Sequence, residues 1–125
     1  MIVRSTVTDG WLTSGRAYHV LSIERGPEGT KFRIQTNERS DGTETVTLHS
    51  AKYFDVITHY RPSSWREWVI RDLVVTSPAA WQMLGFLENL YDGDPTAELI
   101  FKRERALIFE EESLTEGDAS PPLVT

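Results

Sequence analysis

The stretch Ser77 to Asp94, SPAAWQMLGFLENLYDGD, constrains the rest of the chain more than any other. It reads as one amphipathic helix with both ends marked. Ser77 is an N-cap residue type, whose hydroxyl can satisfy a free N–H of the first turn. Pro78 then falls at the first helical position, where its missing N–H costs nothing. Asp92-Gly93-Asp94-Pro95 supplies a stop, with Gly93 suited to the left-handed conformation past the end. At about 100° per residue, Ala80, Met83, Leu84, Leu87, Leu90 and Tyr91 share one stripe. One stripe needs one surface to pack on, and the preceding residues read as strands able to supply it.

Those strands are short and punctuated. Leu12 to Ile23 reads as a turn at Ser14-Gly15 followed by a strand. Arg25 to Gly29, RGPEG, is a loop. Lys31 to Thr36 alternates, with Phe32 and Ile34 to one side and Lys31, Arg33 and Gln35 to the other, as a half-buried strand does. Asn37 to Gly42 is a turn, and Thr43 to Leu48 and Lys52 to Thr58 are further strands. Trp65 to Val75, WREWVIRDLVV, reads as a hairpin or bent strand broken at Arg71-Asp72. After the helix, Asp94 as cap and Pro95 at the first position predict a short second helix over Thr96 to Lys102. Arg105 to Phe109 has strand character, with helix through Glu112 as the competing reading. The expected fold is α+β: a small antiparallel SH3-like β-barrel or bent sheet, one long C-terminal amphipathic helix and a short second helix. Residues 1–112 are expected to form a single domain and 113–125 a flexible tail.

Composition narrows the function. The 125 residues contain no cysteine, which excludes disulfides and thiolate metal sites and fits a cytoplasmic location. No signal peptide and no membrane-length apolar run is visible. The net charge of −6 is unevenly placed. Residues 1–75 carry ten Lys/Arg and nine Asp/Glu, whereas residues 76–125 carry three and ten. An acidic C-terminal part repels phosphate, which argues against nucleic acid as its ligand, and it attracts basic partners.

No catalytic signature stands out. His19, His49 and His59 lack metal-ligand spacing. Ser77 has none of the glycines that hold a nucleophilic serine on a sharp turn. Asp92 and Asp94 could approach calcium, but no EF-hand spacing surrounds them. No cofactor is expected. An enzyme built on His59, Tyr60 and Arg61 near strand ends is the third-ranked reading.

The aromatic residues are more informative. Trp65 and Trp68, three apart, point to opposite faces if extended, so one must lie outside the core or on an edge. On the expected helix, Trp81, Gly85 and Glu88 share a flank. Gly85 would expose backbone there for close approach, by a strand or by a partner with Trp81 as its anchor. In the run Glu110-Glu111-Glu112, negative charge at a helix C-terminus would oppose the dipole, which favours a strand end or a partner of opposite charge.

Two segments carry a family likeness. Leu12-Thr13 with Gly15, Tyr18 and Val20, closed by Phe54-Asp55-Val56-Ile57, resembles the opening and fourth strands of small bacterial SH3-like barrels. Trp81 with Gly85-Phe86, then Tyr91-Asp92 with Asp94-Pro95, resembles small bacterial immunity proteins of contact-dependent growth inhibition and other polymorphic toxin systems. That resemblance implies a non-enzymatic cytoplasmic protein that binds a cognate toxin domain, often a nuclease, and blocks its active site. A nuclease presents a basic face to its substrate, which an acidic surface complements. The expected partner-binding residues are Trp81, Glu88, Asp92, Asp94, Glu110, Glu111 and Glu112. The alternative is an SH3-like peptide- or protein-binding module of other role, with Trp65 and Trp68 lining its groove.

Overall fold

The computed structural model describes residues 1–36, 45–83 and 85–116. The described residues form seven strands, β1 (Ile2–Ser5), β2 (Ala17–Gly26), β3 (Gly29–Thr36), β4 (Thr45–Ser50), β5 (Phe54–Thr58), β6 (Trp65–Ile70) and β7 (Leu73–Pro78). Two helices follow, α1 (Phe86–Tyr91) and α2 (Pro95–Glu116). The α+β class is as expected. Of the two sheet forms anticipated, the chain takes the bent sheet: the strands run in the order β4-β3-β2-β1-β5 without closing into a barrel, and β6 joins through β7, which pairs with β2. The predicted turn at Asn37 to Gly42 lies outside the described residues, as does the predicted tail beyond Glu116.

β2 is the hub, and its length explains how. One edge runs beside β3, from Val20 opposite Ile34 to Gly26 opposite Gly29. The other edge is shared: Ala17–His19 pair with β1, and Ile23–Arg25 pair with β7. A register shift between Val20 and Ser22 marks an irregularity where the strand bends. It breaks strict alternation, so Val20, Leu21, Ser22 and Ile23 are all buried. β3 keeps its alternation, with Phe32 and Ile34 buried as anticipated. β1 lies inside the sheet between β2 and β5, which accounts for the burial of both Ile2 and Val3.

β6 and β7 form the expected hairpin, turning at Arg71-Asp72 with Ile70 opposite Leu73. Arg71 is the one non-glycine residue with positive φ among the described residues, at 56°. A two-residue turn with its first central residue in this region is best served by glycine, because a Cβ is crowded there. Arg71→Gly is therefore expected to raise stability by about 0.5–1 kcal/mol, the relief of strain exceeding the flexibility added to the unfolded chain. The urea midpoint of the variant against the parent chain measures it.

The helical part corrects the sequence reading. Ser77 and Pro78 do not open a helix; they end β7, paired with Arg66 and Trp65. Ala79–Gln82 make one 3-10 turn, Met83 is extended, and Gly85 stands at φ +75°. The left-handed glycine interrupts any continuous helix, and only the six residues of α1 follow it. Gly85 serves that backbone turn and not a close approach, since a Cβ there would meet nothing within 4 Å. The long helix is instead α2, of 22 residues. It absorbs the expected short helix, the Arg105–Phe109 segment read as a strand, and four residues of the expected tail. Its start is as predicted: Asp94 accepts a hydrogen bond from the Ala97 N–H at 3.0 Å and Pro95 is the first helical residue.

The core forms where α2 and the 3-10 turn cover the sheet. Up to Glu112, the buried residues of α2 are Ala97, Phe101, Glu104, Ile108 and Glu112, spaced four, three, four and four apart along one side. Trp81 stacks on Phe101 with ring centroids 4.8 Å apart and lies 6.5 Å from Phe86. Tyr18, Val20, Leu21 and Ile34 belong to the same cluster.

Candidate functional site: an apolar groove beside the hairpin

The β6–β7 hairpin, standing beside α1, creates a concave surface. In β6 the side chains alternate, so Trp68 and Ile70 share a face with their cross-strand partners Val75 and Leu73. Met83, Phe86, Leu87 and Glu88 face them from the helical side, and Ser22, Glu24 and Arg33 contribute from β2 and β3. The groove between them has a volume of about 340 Å³. Several of its apolar walls face water: Trp68 is 38% exposed, Ile70 41% and Met83 63%. Large apolar side chains gathered in an exposed concavity are the surface feature that most often marks binding.

Polar groups fix the groove's shape. Arg33 Nη2 meets Glu24 at 2.9 Å, and Arg33 Nη1 donates to the Tyr91 hydroxyl at 2.8 Å, tying the end of α1 to the sheet. Gln82 Nε2 donates to the Arg66 carbonyl at 2.6 Å and to the Ser77 carbonyl at 3.2 Å, fastening the 3-10 turn to the hairpin. A smaller concavity adjoins the groove, sharing Glu24 and Leu73, between the Pro27-Glu28 and Arg71-Asp72 turns. Together the two are lined by Glu24, Glu28, Asp72 and Glu88 against Lys31 and Arg33, a net of −2. Lys31 and Arg33 are each paired with a glutamate, Glu28 and Glu24 respectively.

The residues singled out from sequence do not converge on one face. Glu88 lines the groove and Asp92 lies exposed past the end of α1. Asp94 is occupied as the α2 cap. Glu110 is exposed on α2. Trp81 also borders the groove, beside Glu88, but it is buried in the core stack and so forms part of the groove's floor, not a protruding anchor. Trp65 is buried as well, so the tryptophan pair does not line a common groove; Trp68 alone does. Ile70 and Met83 were missed as site residues. The signal for Ile70 was present, because Trp68, Val69 and Ile70 put apolar groups on both faces of one strand.

Two of the three glutamates in the acidic run of α2, Glu111 and Glu112, turn inward, and Glu110 does not. Glu111 accepts from the Tyr60 hydroxyl at 2.9 Å, the Ser63 N–H at 3.1 Å and the Ser63 hydroxyl at 3.1 Å. What burial there is works to raise its pKa, but these three donors hold the carboxyl below its ordinary value. The same contact raises the Tyr60 hydroxyl. Glu112 is only 1% exposed. One of its oxygens meets the Met1 amine and the other meets His19 Nδ1. His19 in turn lies against Phe109, with centroids 4.3 Å apart. Burial pushes the Met1 amine below its ordinary value of 8.0, the Glu112 charge and hydrogen bond oppose that, and Arg61 adds to it.

Part of the acidity of the C-terminal part is therefore spent on internal contacts, at Asp94, Glu111 and Glu112, while Glu88, Asp92, Glu98 and Glu110 stay exposed. On α2, Glu98 and Glu110 remain exposed beside the equally exposed Lys102 and Arg103, so that face is electrically mixed. Among the described residues, no three His, Asp or Glu side chains are grouped to hold a metal ion, and no helix is long and apolar enough to cross a membrane. Comparison with protein-family models, curated proteins and solved structures finds no match to this chain.

Proposed function

We propose that this chain is a non-enzymatic inhibitor: an immunity protein that binds a cognate bacterial toxin domain in the cytoplasm and blocks its active site. Its seat is the groove between the β6–β7 hairpin and α1, and not the end of α2. The observation that carries this reading is the coincidence of exposed Trp68, Ile70 and Met83 with a lining that, taken with the adjoining concavity, carries a net of −2. Such a surface fits a partner element with an apolar tip flanked by Lys or Arg, as a nuclease active-site rim offers. Charge steers the encounter, and the desolvated apolar centre supplies the affinity.

The test is calorimetric titration with the C-terminal domain of the toxin encoded beside this chain's gene, at low salt. Submicromolar binding is expected. Met83→Ala and Trp68→Ala should each weaken it by about 2 kcal/mol, roughly 30-fold, as truncated central contacts do. Glu110→Gln should change it by less than about twofold, since a distant exposed charge contributes little. Absence of binding at micromolar concentrations removes the proposal. Undiminished binding by both groove variants removes the groove as its seat.

A further inference from the structure

Among the described residues β6 lies at an edge of the sheet, pairing only with β7. The two-residue turn makes Ile70–Leu73 the closing hydrogen-bonded pair, so Trp68–Val75 and Arg66–Ser77 are the next ones. The Ala79 N–H continues this series with a 3.1 Å bond to the Ser64 carbonyl. Trp65, Glu67 and Val69 must then direct their N–H and C=O groups outward, away from β7. Trp65 is already served: its N–H donates to the Pro62 carbonyl at 3.1 Å, and its carbonyl accepts from Arg66 Nη1 at 2.7 Å. At the other end the left-handed Arg71 terminates the strand. The open edge is thus a window of two residues, Glu67 and Val69, with Trp68 at its centre.

We propose that this window pairs with the same window of a second copy, in antiparallel register about a two-fold axis through Trp68. That axis sets Glu67 opposite Val69 of the other copy, and Val69 opposite its Glu67. The two exchanges make four backbone hydrogen bonds, which use all the open groups of both strands. Trp68 faces its own counterpart as the close, non-hydrogen-bonded pair, an arrangement in which two aromatic rings stabilise a sheet. No like charges come opposite one another. An unrelated strand could form the same bonds, but a copy brings a window of matching length and twist together with the second indole. Natural edges are commonly guarded by charge, Pro or a bulge; the window has no Pro, and its one charge, Glu67, is paired with Arg25 at 3.0 Å and would face Val69 of the other copy. Val69, on the face away from the groove, is 63% exposed. The pairing would place two grooves side by side on one face of a continuous sheet, and it stands independently of what those grooves bind.

Sedimentation equilibrium of the full chain up to about 300 µM tests this, a range that reaches weak strand-edge pairing. A reversible equilibrium between 14.3 kDa and twice that mass is expected. Val69→Lys, at a solvent-facing position, should weaken association by at least about tenfold while leaving the circular dichroism spectrum unchanged. Because the chain has no cysteine, a single introduced thiol reports the register. Trp68→Cys should yield a disulfide-linked dimer under mild oxidation, since a non-hydrogen-bonded pair holds its Cα atoms about 4.5 Å apart, within disulfide range. Val69→Cys should not. A parent chain that stays at 14.3 kDa throughout overturns the proposal. So does a dimer that Val69→Lys leaves intact, or one that cross-links through Val69→Cys in place of Trp68→Cys.

Discussion

Trp81→Ala is expected to destabilise the fold by about 3–5 kcal/mol, a large share of what holds a domain of this size together. The indole is buried between Phe101 of α2 and Phe86 of α1, so its removal opens a cavity where the helical layer meets the sheet. The stack is also what seats α2, because Phe101 is its first large buried residue. Trp68→Ala, at the groove surface, should cost only about 1 kcal/mol of stability. Urea unfolding followed by far-ultraviolet circular dichroism measures both. If Trp81→Ala unfolds at the same urea concentration as the parent chain and loses only partner binding, the side chain is an exposed anchor after all.

Glu112→Gln should be nearly as damaging, at about 3 kcal/mol. The carboxylate sits in the interior between the Met1 amine and His19, so it joins the last described turns of α2 to β1 and β2 across 111 residues of sequence. Neutralising it leaves a buried amine without its counter-charge, which costs more than the pair's own net contribution. The loss should depend on pH. The amine already titrates lower in the folded chain than the ordinary 8.0. Between those two values the unfolded chain holds one proton more than the folded chain, so stability rises with pH there and levels off above about 8. Without Glu112 the amine is pushed lower still, and the rising interval extends to more acid pH. The penalty of Glu112→Gln should therefore be smaller at pH 8.5 than at pH 6.5. Unfolding midpoints at the two values give the comparison. An equal penalty at both would mean that the amine does not share the site.

Much of the sheet was legible because strands declare themselves locally. The alternation of Lys31 to Thr36 matched the burial of Phe32 and Ile34, and Arg71-Asp72 marked the hairpin turn. Trp65 and Trp68 separated into core and surface, as a two-residue period requires. β1 was not legible as a strand, since four residues carry little periodicity and its burial comes from neighbours on both sides.

The helices were misassigned for a specific reason. Ala80 to Tyr91 has helical spacing, yet Met83 and Tyr91 of that stripe end up exposed, because Gly85 breaks the segment and β7 claims Ser77 and Pro78. In α2 up to Glu112, two of the five buried positions hold Glu104 and Glu112, while Leu99 and Leu107 face solvent. A reading by hydrophobic period finds no single helical stripe in such a pattern and divides it into a short helix and a strand-like segment. The groove was hidden likewise, since its walls come from β2, β3, β6, β7 and α1.

The sequence by itself determined the class of fold, the hairpin, the Asp94-Pro95 start of α2 and the uneven placement of charge, all of which act over a few residues. Only the tertiary structure decided where that charge points. A carboxylate is tolerated in the interior when donors from distant segments meet it, as the Met1 amine and His19 meet Glu112. No local pattern records such a meeting, so residues that read as acidic surface became internal fastenings, and the exposed apolar groove arose where hairpin and helix were brought together.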